Sequence, residues 1–383
     1  MGGANLARAE DGPHHVFLIP GFFGFANFGD FKYFWHVREV LEARFRALGL
    51  DARLHPVRTS PTASIRTRAE RLAEIITAAD TGQGPIHLIG HSTGGLDARL
   101  LVTPGVSLHT RADVEAIARR VRTVVAVTSP HYGTPLASFF ASMLGQKALE
   151  LVSLATIYVL RFGKLPLKAL TLALGAMVWT NNRVVLRTGV LDQVHTMLLA
   201  DFTEDRRALL DTFFSEVMGD QSLLPQLSPE GIDLFNALAS RRDTVRYGCV
   251  VTAAPPPGLR TAAKLGLGAY AQLTYGLYRA LYSKAASMRP SRIPPLTPEQ
   301  WRALRQGLGK IPAPSDNDGM VPALSQVYGD VIHAAWADHL DVIGHFGDWR
   351  HDPPHVDWLI TGAQFDRGHF ERLWGDVAQY VAG

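Results

Sequence analysis

The chain has 383 residues, of which 47% are hydrophobic and 19% are charged, and this composition excludes a disordered or collagen-like chain. The 38 basic and 35 acidic residues leave a net charge of only +3, and without a long basic run the sequence does not favour nucleic-acid binding. The single cysteine, Cys249, excludes an intrachain disulfide framework and a zinc site built from several cysteines.

Strands and helices alternate in the first third of the chain. Short apolar runs rich in β-formers are typical of strands buried on both faces, whereas apolar residues on one side of a helical turn indicate amphipathic helices. This alternation predicts a mostly parallel sheet that is flanked by helices on both faces. The predicted strands span 15–20, 51–57, 85–89 and 121–128, and the predicted helices span 34–48, 64–79 and 95–101.

Two long apolar stretches then interrupt this pattern. Residues 136–218 and 259–289 are predicted to be nearly all helical, although no uncharged apolar run is long enough to span a membrane. We therefore predict one α/β domain over residues 1–383, with helical insertions at 137–218 and 255–290. The α/β character returns around the insertions, with strands predicted at 245–254 and 331–336 and a last helix at 370–381.

The strongest chemical signal is the pentapeptide Gly90-His91-Ser92-Thr93-Gly94. The pattern Gly-x-Ser-x-Gly is weak by itself, and an ordinary glycine-rich turn is the alternative interpretation. Here a predicted strand runs into the motif and a helix-compatible stretch follows it. This is the setting in which a nucleophilic serine lies on a sharp, strained turn, so Ser92 is the predicted nucleophile.

A serine hydroxyl needs a general base and an acid that orients this base. Where the serine lies on a strand–turn–helix, the acid and then the histidine follow it along the chain. Asp318 and His339 both fall in predicted loops of the last α/β segment, and we predict that they are the acid and the base. Asp316 is the rival acid, and His333 and His345 are the rival bases.

An oxyanion hole needs two backbone N–H groups that point at the substrate carbonyl. One should come from the residue after the nucleophile, which is Thr93, and the other from the loop after an early strand. Phe22 follows the first predicted strand, and Gly21 before it permits a tight turn. Phe22 and Thr93 are therefore the predicted donors, and a plain strand-end turn at Phe22 is the alternative.

Several blocks of the sequence resemble, in order, the bacterial triacylglycerol lipases of the α/β-hydrolase superfamily. Together the blocks cover about 15–380, whereas the apolar insertions match nothing specific. The resemblance implies an α/β-hydrolase fold and a Ser-Asp-His triad that hydrolyses carboxylic esters of lipids through an acyl-enzyme. The blocks are LIPGFFGF (18–25), FKYFWHVREVLEARFRALG (31–49), IHLIGHSTGGLDARLLV (86–102), VTSPHYGTPLA (127–137), LSPEGIDLFN (227–236), NDGMVP (317–322) and DHLDVIG (338–344).

The sequence departs from these lipases at three points. Pro20 replaces the usual histidine before Gly21, so a side-chain contact near the oxyanion loop is lost. The larger lipases carry a zinc-binding insertion before the nucleophile strand, but this region is short here and we expect no zinc. Many members bind a structural Ca²⁺ through the acid two residues after the catalytic histidine. That acid is Asp341, with Asp348 as a candidate second ligand, and the alternative is that Asp341 only anchors the histidine loop.

The segment His351-Asp352-Pro353-Pro354-His355-Val356-Asp357 has the composition of a metal cluster. Its two prolines prevent a helix that would align the histidines, and no block of the lipases matches it. We therefore interpret it as a polar surface loop. Apart from the candidate calcium, the sequence implies no cofactor.

The apolar insertions suit a lid and an acyl-binding wall, because a site for long acyl chains must be hidden from water until a lipid surface is met. Buried cap helices or an oligomer interface are the alternatives, and the oligomeric state is not predicted. Cationic residues at the edges of the insertions suit an anionic membrane surface or an oil–water interface. They are Lys147, Arg161, Lys164, Lys168, Lys264, Arg279 and Lys284.

The sequence thus predicts a serine hydrolase of lipid esters. A short-chain esterase and a polyester depolymerase are alternatives within this class, and an acyltransferase and a non-catalytic lipid-binding protein are alternatives outside it. The N-terminal segment has no apolar region typical of a signal peptide. We therefore expect a cytoplasmic protein or one attached to a membrane surface, or a secreted protein if a signal peptide has been removed.

Overall fold

A computed structural model of the chain describes most of its residues. These are 12–22, 33–142 without 80 and 83, 164–258 without 176, 181, 182 and 187, and 268–383 without 358, together with 150, 151, 153–155, 157, 158, 162, 261, 262 and 265.

Six strands of the described chain form a central sheet. They are β1 (His14–Ile19), β2 (Ala52–Pro56), β3 (Ile86–His91), β4 (Val121–Val127), β7 (Arg246–Ala253) and β8 (Asp330–Trp336). Their order across the sheet is β2-β1-β3-β4-β7-β8, and every neighbouring pair is parallel. Strands β1, β3, β4 and β7 are almost entirely buried, as expected of apolar runs between two layers of helices. The predicted mostly parallel sheet is therefore confirmed.

Helices cover both faces of this sheet. Those up to residue 140 are α1 (Trp35–Ala47), α2 (Ile65–Ala78), α3 (Gly94–Leu101), α4 (Val114–Arg120) and α5 (Pro135–Phe140), and the last two of the described chain are α12 (Pro298–Leu308) and α13 (Arg367–Ala382). Because side chains alternate along a strand, Val16 and Leu18 of β1 pack in one buried cluster with α1 and α13, and Phe17 and Ile19 pack in another with α2 and α3.

The two insertions are largely helical in their described parts and join the main apolar core through residues such as Leu191, Leu210 and Tyr278. No helix among the described residues is both long and apolar enough to cross a membrane. The helices of the first insertion are α6 (Leu167–Gly175), α7 (Thr188–Ala200) and α8 (Glu204–Gly219). Between the insertions lie α9 (Leu223–Leu227) and α10 (Gly231–Leu238), and the second insertion contains α11 (Ala269–Ala285).

One part of the first insertion differs from the sequence-based expectation of nearly continuous helix. Helix α6 ends at Gly175, and an antiparallel hairpin of β5 (Met177–Thr180) and β6 (Arg183–Leu186) follows. Valine, tryptophan and threonine favour strands, and the two residues between the strands are both asparagine, a type enriched in turns. Local strand and turn preference therefore outweighs the apolar helical pattern here.

Candidate active site

The candidate site lies where the strand connections diverge. Strand β1 has β2 on one side and β3 on the other, so the chain leaves the carboxyl ends of β1 and β3 in opposite directions and opens a crevice between them. Gly21 lies just after β1, and Ser92 lies just after β3. The topology thus brings the predicted oxyanion loop and the predicted nucleophile to one place.

Ser92 occupies a strained turn between β3 and α3. Its φ of 54° lies in the left-handed region, which is costly for a residue with a side chain and is typical of functional positions. A Cβ on Gly90 would lie 2.2 Å from the carbonyl carbon of Gly94, and one on Gly94 would lie 2.3 Å from the carbonyl oxygen of Ile19. Both glycines of the motif are therefore required by close backbone packing around the serine.

The loop after β1 runs directly against this turn. A Cβ on Gly21 would lie 2.6 Å from Cβ of Ser92 and 3.2 Å from its Oγ, so only glycine fits here. Phe22 and Thr93 line the same cavity as Ser92. The structure thus brings both predicted oxyanion residues to the predicted nucleophile.

Asp318 and His339 form a buried pair. Nδ1 of His339 lies 2.7 Å from Oδ2 of Asp318, and the two side chains are 3% and 0% exposed. The backbone N–H groups of Met320 and Val321 donate to Oδ1 of Asp318 at 2.9 and 2.7 Å, and Nε2 of Gln326 donates to Oδ2 at 3.1 Å. These donors fix the carboxylate, which in turn holds the Nδ1–H tautomer of His339 and leaves Nε2 as a proton acceptor.

His339 and Ser92 face one apolar cavity, in which the serine is only 7% exposed. The cavity is walled mainly by α5, α9 and the loop after Asp318. Its remaining lining residues are Pro130, Thr134, Leu136, Ala137, Phe140, Leu224, Leu227, Met320 and Val321. The predicted nucleophile is therefore covered by apolar side chains.

The rival residues are engaged elsewhere. Asp316 accepts from Nζ of Lys310 at 2.7 Å, and His333 pairs with Asp376 at 2.7 Å. His345 is buried, and its backbone N–H donates to the carbonyl of Leu340. The cavity around Ser92 is lined by His339 and not by these three residues.

A buried chain of hydrogen bonds links the predicted oxyanion loop at Gly21 to the loop of His339. This chain of hydrogen bonds was not predicted from the sequence. Nε2 of His91 lies 2.9 Å from the carbonyl oxygen of His339. Because a carbonyl only accepts, Nε2 carries the proton and Nδ1 accepts from the Tyr33 hydroxyl at 2.6 Å. The Tyr33 oxygen then accepts from the backbone N–H of Gly21 at 3.4 Å. Burial, together with nearby His339, lowers the pKa of His91 well below its usual value, so the ring stays neutral.

A buried ion pair supports the same loop and was also missed. Arg68 and Asp97 are 0% exposed and lie 2.7 Å apart at Nη2 and Oδ2, and Nη2 of Arg68 also donates to the carbonyl of Pro20 at 2.7 Å. Burial raises the pKa of Asp97 to about 6 against the opposing effect of Arg68. The pair therefore ties α2, α3 and the residue before Gly21 together.

Asp341 belongs to a cluster of three acidic side chains, Asp338, Asp341 and Asp357, of which the first two are buried and Asp357 is partly exposed. Burial and the neighbouring carboxylates of Asp338 and Asp357 raise the pKa of Asp341 well above its usual value, and desolvation raises that of Asp357 to about 7. Oδ2 of Asp341 accepts from the N–H of Asp338 at 2.8 Å. Asp348 lies outside this cluster, and its Oδ1 accepts from the N–H of Arg350.

Carboxylate oxygens are the ligand type that Ca²⁺ takes. Asp341 is the ligand that the sequence predicted, whereas Asp338 and Asp357 were not predicted. In the described part of the chain, these three carboxylates do not form a group whose ligand atoms all lie within 4.8 Å of one another.

Comparison with protein families matches residues 16–230, more than half of the chain, to the alpha/beta hydrolase family. The chain therefore belongs to this family, and the predicted fold class is confirmed. A search of curated proteins finds no match.

Several solved structures of bacterial lipases and esterases share the fold. EstA from Clostridium botulinum is 18% identical with a TM-score of 0.51, over 96% of this chain and 87% of that chain. Lipase 1 from Pelosinus fermentans is 16% identical with a TM-score of 0.50, over 96% of this chain and 98% of that chain. The Staphylococcus hyicus lipase is 14% identical with a TM-score of 0.50, over 100% of this chain and 98% of that chain.

Proposed function

We propose that this α/β hydrolase cleaves carboxylic esters of lipids, with Ser92 as nucleophile, His339 as general base and Asp318 as the acid that orients it. The observation that carries the proposal is the 2.7 Å bond between His339 and Asp318 beside a strained serine in the same cavity. The likeness to bacterial lipases and esterases is consistent with this reaction.

In the first half of the reaction, Oγ of Ser92 attacks the ester carbonyl while Nε2 of His339 takes its proton. Asp318 stabilises the imidazolium that forms. The negative charge on the carbonyl oxygen is held by the backbone N–H groups of Phe22 and Thr93. When the tetrahedral intermediate collapses, His339 gives the proton to the departing alcohol and an acyl-enzyme remains on Ser92.

In the second half, water attacks the acyl-enzyme as His339 removes its proton, and collapse releases the fatty acid. An alcohol in place of water would give acyl transfer, which product analysis distinguishes. A Ca²⁺ ion bound by Asp338, Asp341 and Asp357 would act structurally, by fixing the loop that carries His339. It takes no part in the steps above.

The lipid preference is supported by the apolar wall of the cavity and by its cover. Leu136, Ala137 and Phe140 of α5 and Leu224 and Leu227 of α9 close over a serine that is 7% exposed. A bulky ester reaches Ser92 only if this cover moves, so we assign α5 and α9, which flank the first insertion, the role of a lid.

Contact with a lipid surface is supported by the exposed start of α6 and the residues before it. Phe162 and Leu167 are 44% and 51% exposed, and the exposed cations Lys164 and Lys168 lie between and beside them. Apolar groups that are interspersed with lysines suit an anionic bilayer or an oil–water interface.

The test is hydrolysis of p-nitrophenyl esters from acetate to palmitate, with and without emulsified oil, by the wild type and by Ser92→Ala. We expect activity that increases toward longer chains and rises when an interface is present. A preference for acetate would make the protein a short-chain esterase. Inactivity on every ester, with Ser92→Ala indistinguishable from the wild type, would overturn the proposal.

A further inference from the structure

Three histidines from distant parts of the sequence meet beside α1. His36 lies in the first turn of α1, and His351 and His355 lie in the segment between Asp341 and Asp357. One ring nitrogen of each lies within 4.8 Å of those of the other two. The interpretation of 351–357 as a plain surface loop is therefore wrong for His355, which is only 2% exposed. Its ring packs against His36, with 3.7 Å between the ring centroids.

Backbone carbonyls fix the protonation of two of these rings. Nδ1 of His355 lies 2.8 Å from the carbonyl oxygen of Gly344, and Nδ1 of His351 lies 2.9 Å from that of Pro353. Because carbonyls only accept, both Nδ1 atoms carry a proton, and the neutral form of each ring keeps a lone pair on Nε2. Histidines that bind metals are typically oriented in this way, with the second nitrogen donating to a carbonyl.

His36 supplies a third ring nitrogen. Its Nδ1 is buried without a hydrogen-bond partner among the described residues. A buried polar atom without a partner is costly, and a bound cation would satisfy this nitrogen in the tautomer that carries its proton on Nε2.

The backbone and a nearby carboxylate complete the surroundings. Gly344 has a φ of 104°, and a Cβ there would lie 2.9 Å from Cδ2 of His36, so a glycine makes room for the histidine. Glu39 lies one helical turn after His36, and its Oε2 is 3.4 Å from Nε2 of His351. A carboxylate is therefore available beside the three nitrogens.

We propose that His36, His351 and His355 bind one divalent transition-metal ion of the Zn²⁺ class, with Glu39 as an oxygen ligand. Three imidazoles and a carboxylate suit Zn²⁺ in a four-coordinate site. Because Zn–N bonds are about 2.0–2.1 Å long, binding draws the three nitrogens together and turns the stacked rings apart. The ion would link α1 to the segment that follows His339 in the chain.

This site is separate from the candidate calcium site. It also lies outside the short segment before β3, the segment for which we expected no zinc from the sequence. The calcium candidates are all carboxylates, whereas this cluster offers mainly nitrogen. Neither site supplies a residue to the proposed triad. Zinc binding and ester hydrolysis can therefore be tested independently of each other.

The test is Zn²⁺ binding to the full chain without a polyhistidine tag, after stripping with a chelator and in the presence of excess Ca²⁺ to occupy carboxylates. Competition with a chromophoric chelator gives the stoichiometry and affinity, and the visible absorption of bound Co²⁺ reports the ligand geometry. We expect one equivalent per chain, a four-coordinate Co²⁺ spectrum and a rise of the melting temperature with Zn²⁺.

Two variants and a control make the test specific. His351→Ala should lower the Zn²⁺ affinity at least about tenfold and remove the rise in melting temperature, and Glu39→Gln should weaken binding less. His109→Ala is the matched control, because the His109 side chain is 83% exposed and pairs with Glu70, outside the cluster. Both His351 and Glu39 keep some exposure, so their variants should fold, which circular dichroism checks.

The proposal is overturned if the wild type binds no Zn²⁺ at one equivalent, which would make the cluster a metal-free stack of neutral imidazoles. It is also overturned if His351→Ala binds as tightly as the wild type, or if His109→Ala loses affinity to the same extent. Binding that vanishes only when Ca²⁺ is added would assign the ion to the carboxylates instead.

Discussion

Nε2 of His91 donates to the carbonyl oxygen of His339 at 2.9 Å, so the residue that precedes the proposed nucleophile also holds the loop of the proposed base. The two residues are 248 positions apart in the chain. The same imidazole accepts from Tyr33, which contacts the oxyanion loop at Gly21. One neutral histidine thus sets the relative positions of three parts of the site.

We predict that His91→Leu lowers kcat by about 10- to 100-fold, because a small displacement of a reacting group is costly to catalysis. KM should change little, since His91 does not line the cavity. Steady-state kinetics across a pH series checks this, and a displaced His339 should also shift the acidic limb of the kcat profile. Tyr33→Phe should have a smaller effect in the same direction. Unchanged kcat and pH profile in His91→Leu would make the bond purely structural.

The choice between the two neighbouring acids gives a second prediction. Asp318→Asn should lower kcat by about 10⁴-fold, because the amide would stabilise the wrong tautomer of His339 and could not stabilise the imidazolium. Asp316→Asn is the control, since this carboxylate pairs with Lys310, and it should keep near-wild-type kcat. Steady-state kinetics on one chromogenic ester makes the comparison. If Asp316→Asn lowers kcat more than Asp318→Asn does, Asp316 is the acid that orients His339.

Buried neutral histidines should make the fold sensitive to acid. Burial and nearby Arg99 lower the pKa of His131 well below its usual 6.5, and the groups facing it are Arg99 and Tyr328. Below about pH 6.5 the unfolded chain takes up a proton at this histidine that the folded chain does not take up. The free energy of unfolding therefore decreases as the pH is lowered. The loss is about 1.4 kcal/mol per pH unit for each such group.

Urea denaturation of the wild type and of His131→Gln at several pH values checks this. Glutamine does not titrate, so the variant should show a shallower loss of stability between about pH 6.5 and pH 5. Its stability at neutral pH is compared separately. An equal slope in both proteins would mean that His131 is protonated in the folded state.

The acidic cluster of Asp338, Asp341 and Asp357 gives a prediction for calcium binding. Ca²⁺ should raise the melting temperature of the wild type, because it binds the folded arrangement of Asp338, Asp341 and Asp357 and not the unfolded chain. Asp341→Asn should abolish most of this rise. Asp348→Asn is the control and should keep it, since Asp348 is not among the carboxylates that raise the pKa of Asp341. Thermal scans with Ca²⁺ and with Mg²⁺ make the measurement, and an absent rise in the wild type contradicts the site.

Sequence alone predicted those elements whose determinants lie within a few neighbouring residues. The apolar run at 85–89 and the glycines at 90 and 94 specify a strand and a strained turn within a few residues. The bond from His91 to His339, the ion pair of Arg68 with Asp97 and the meeting of His36 with His355 depend on chain segments brought together only by folding. No spacing in the sequence records such pairs.

Covalent trapping decides whether Ser92 is the nucleophile. A long-chain alkylphosphonate ester, which mimics the tetrahedral intermediate, is incubated with the wild type and with Ser92→Ala, and intact and peptide masses are measured. We expect one adduct per wild-type chain, located on Ser92, with loss of ester hydrolysis in proportion to labelling and no adduct on the variant. An adduct on another residue, or full hydrolytic activity in Ser92→Ala, would exclude Ser92 as the nucleophile.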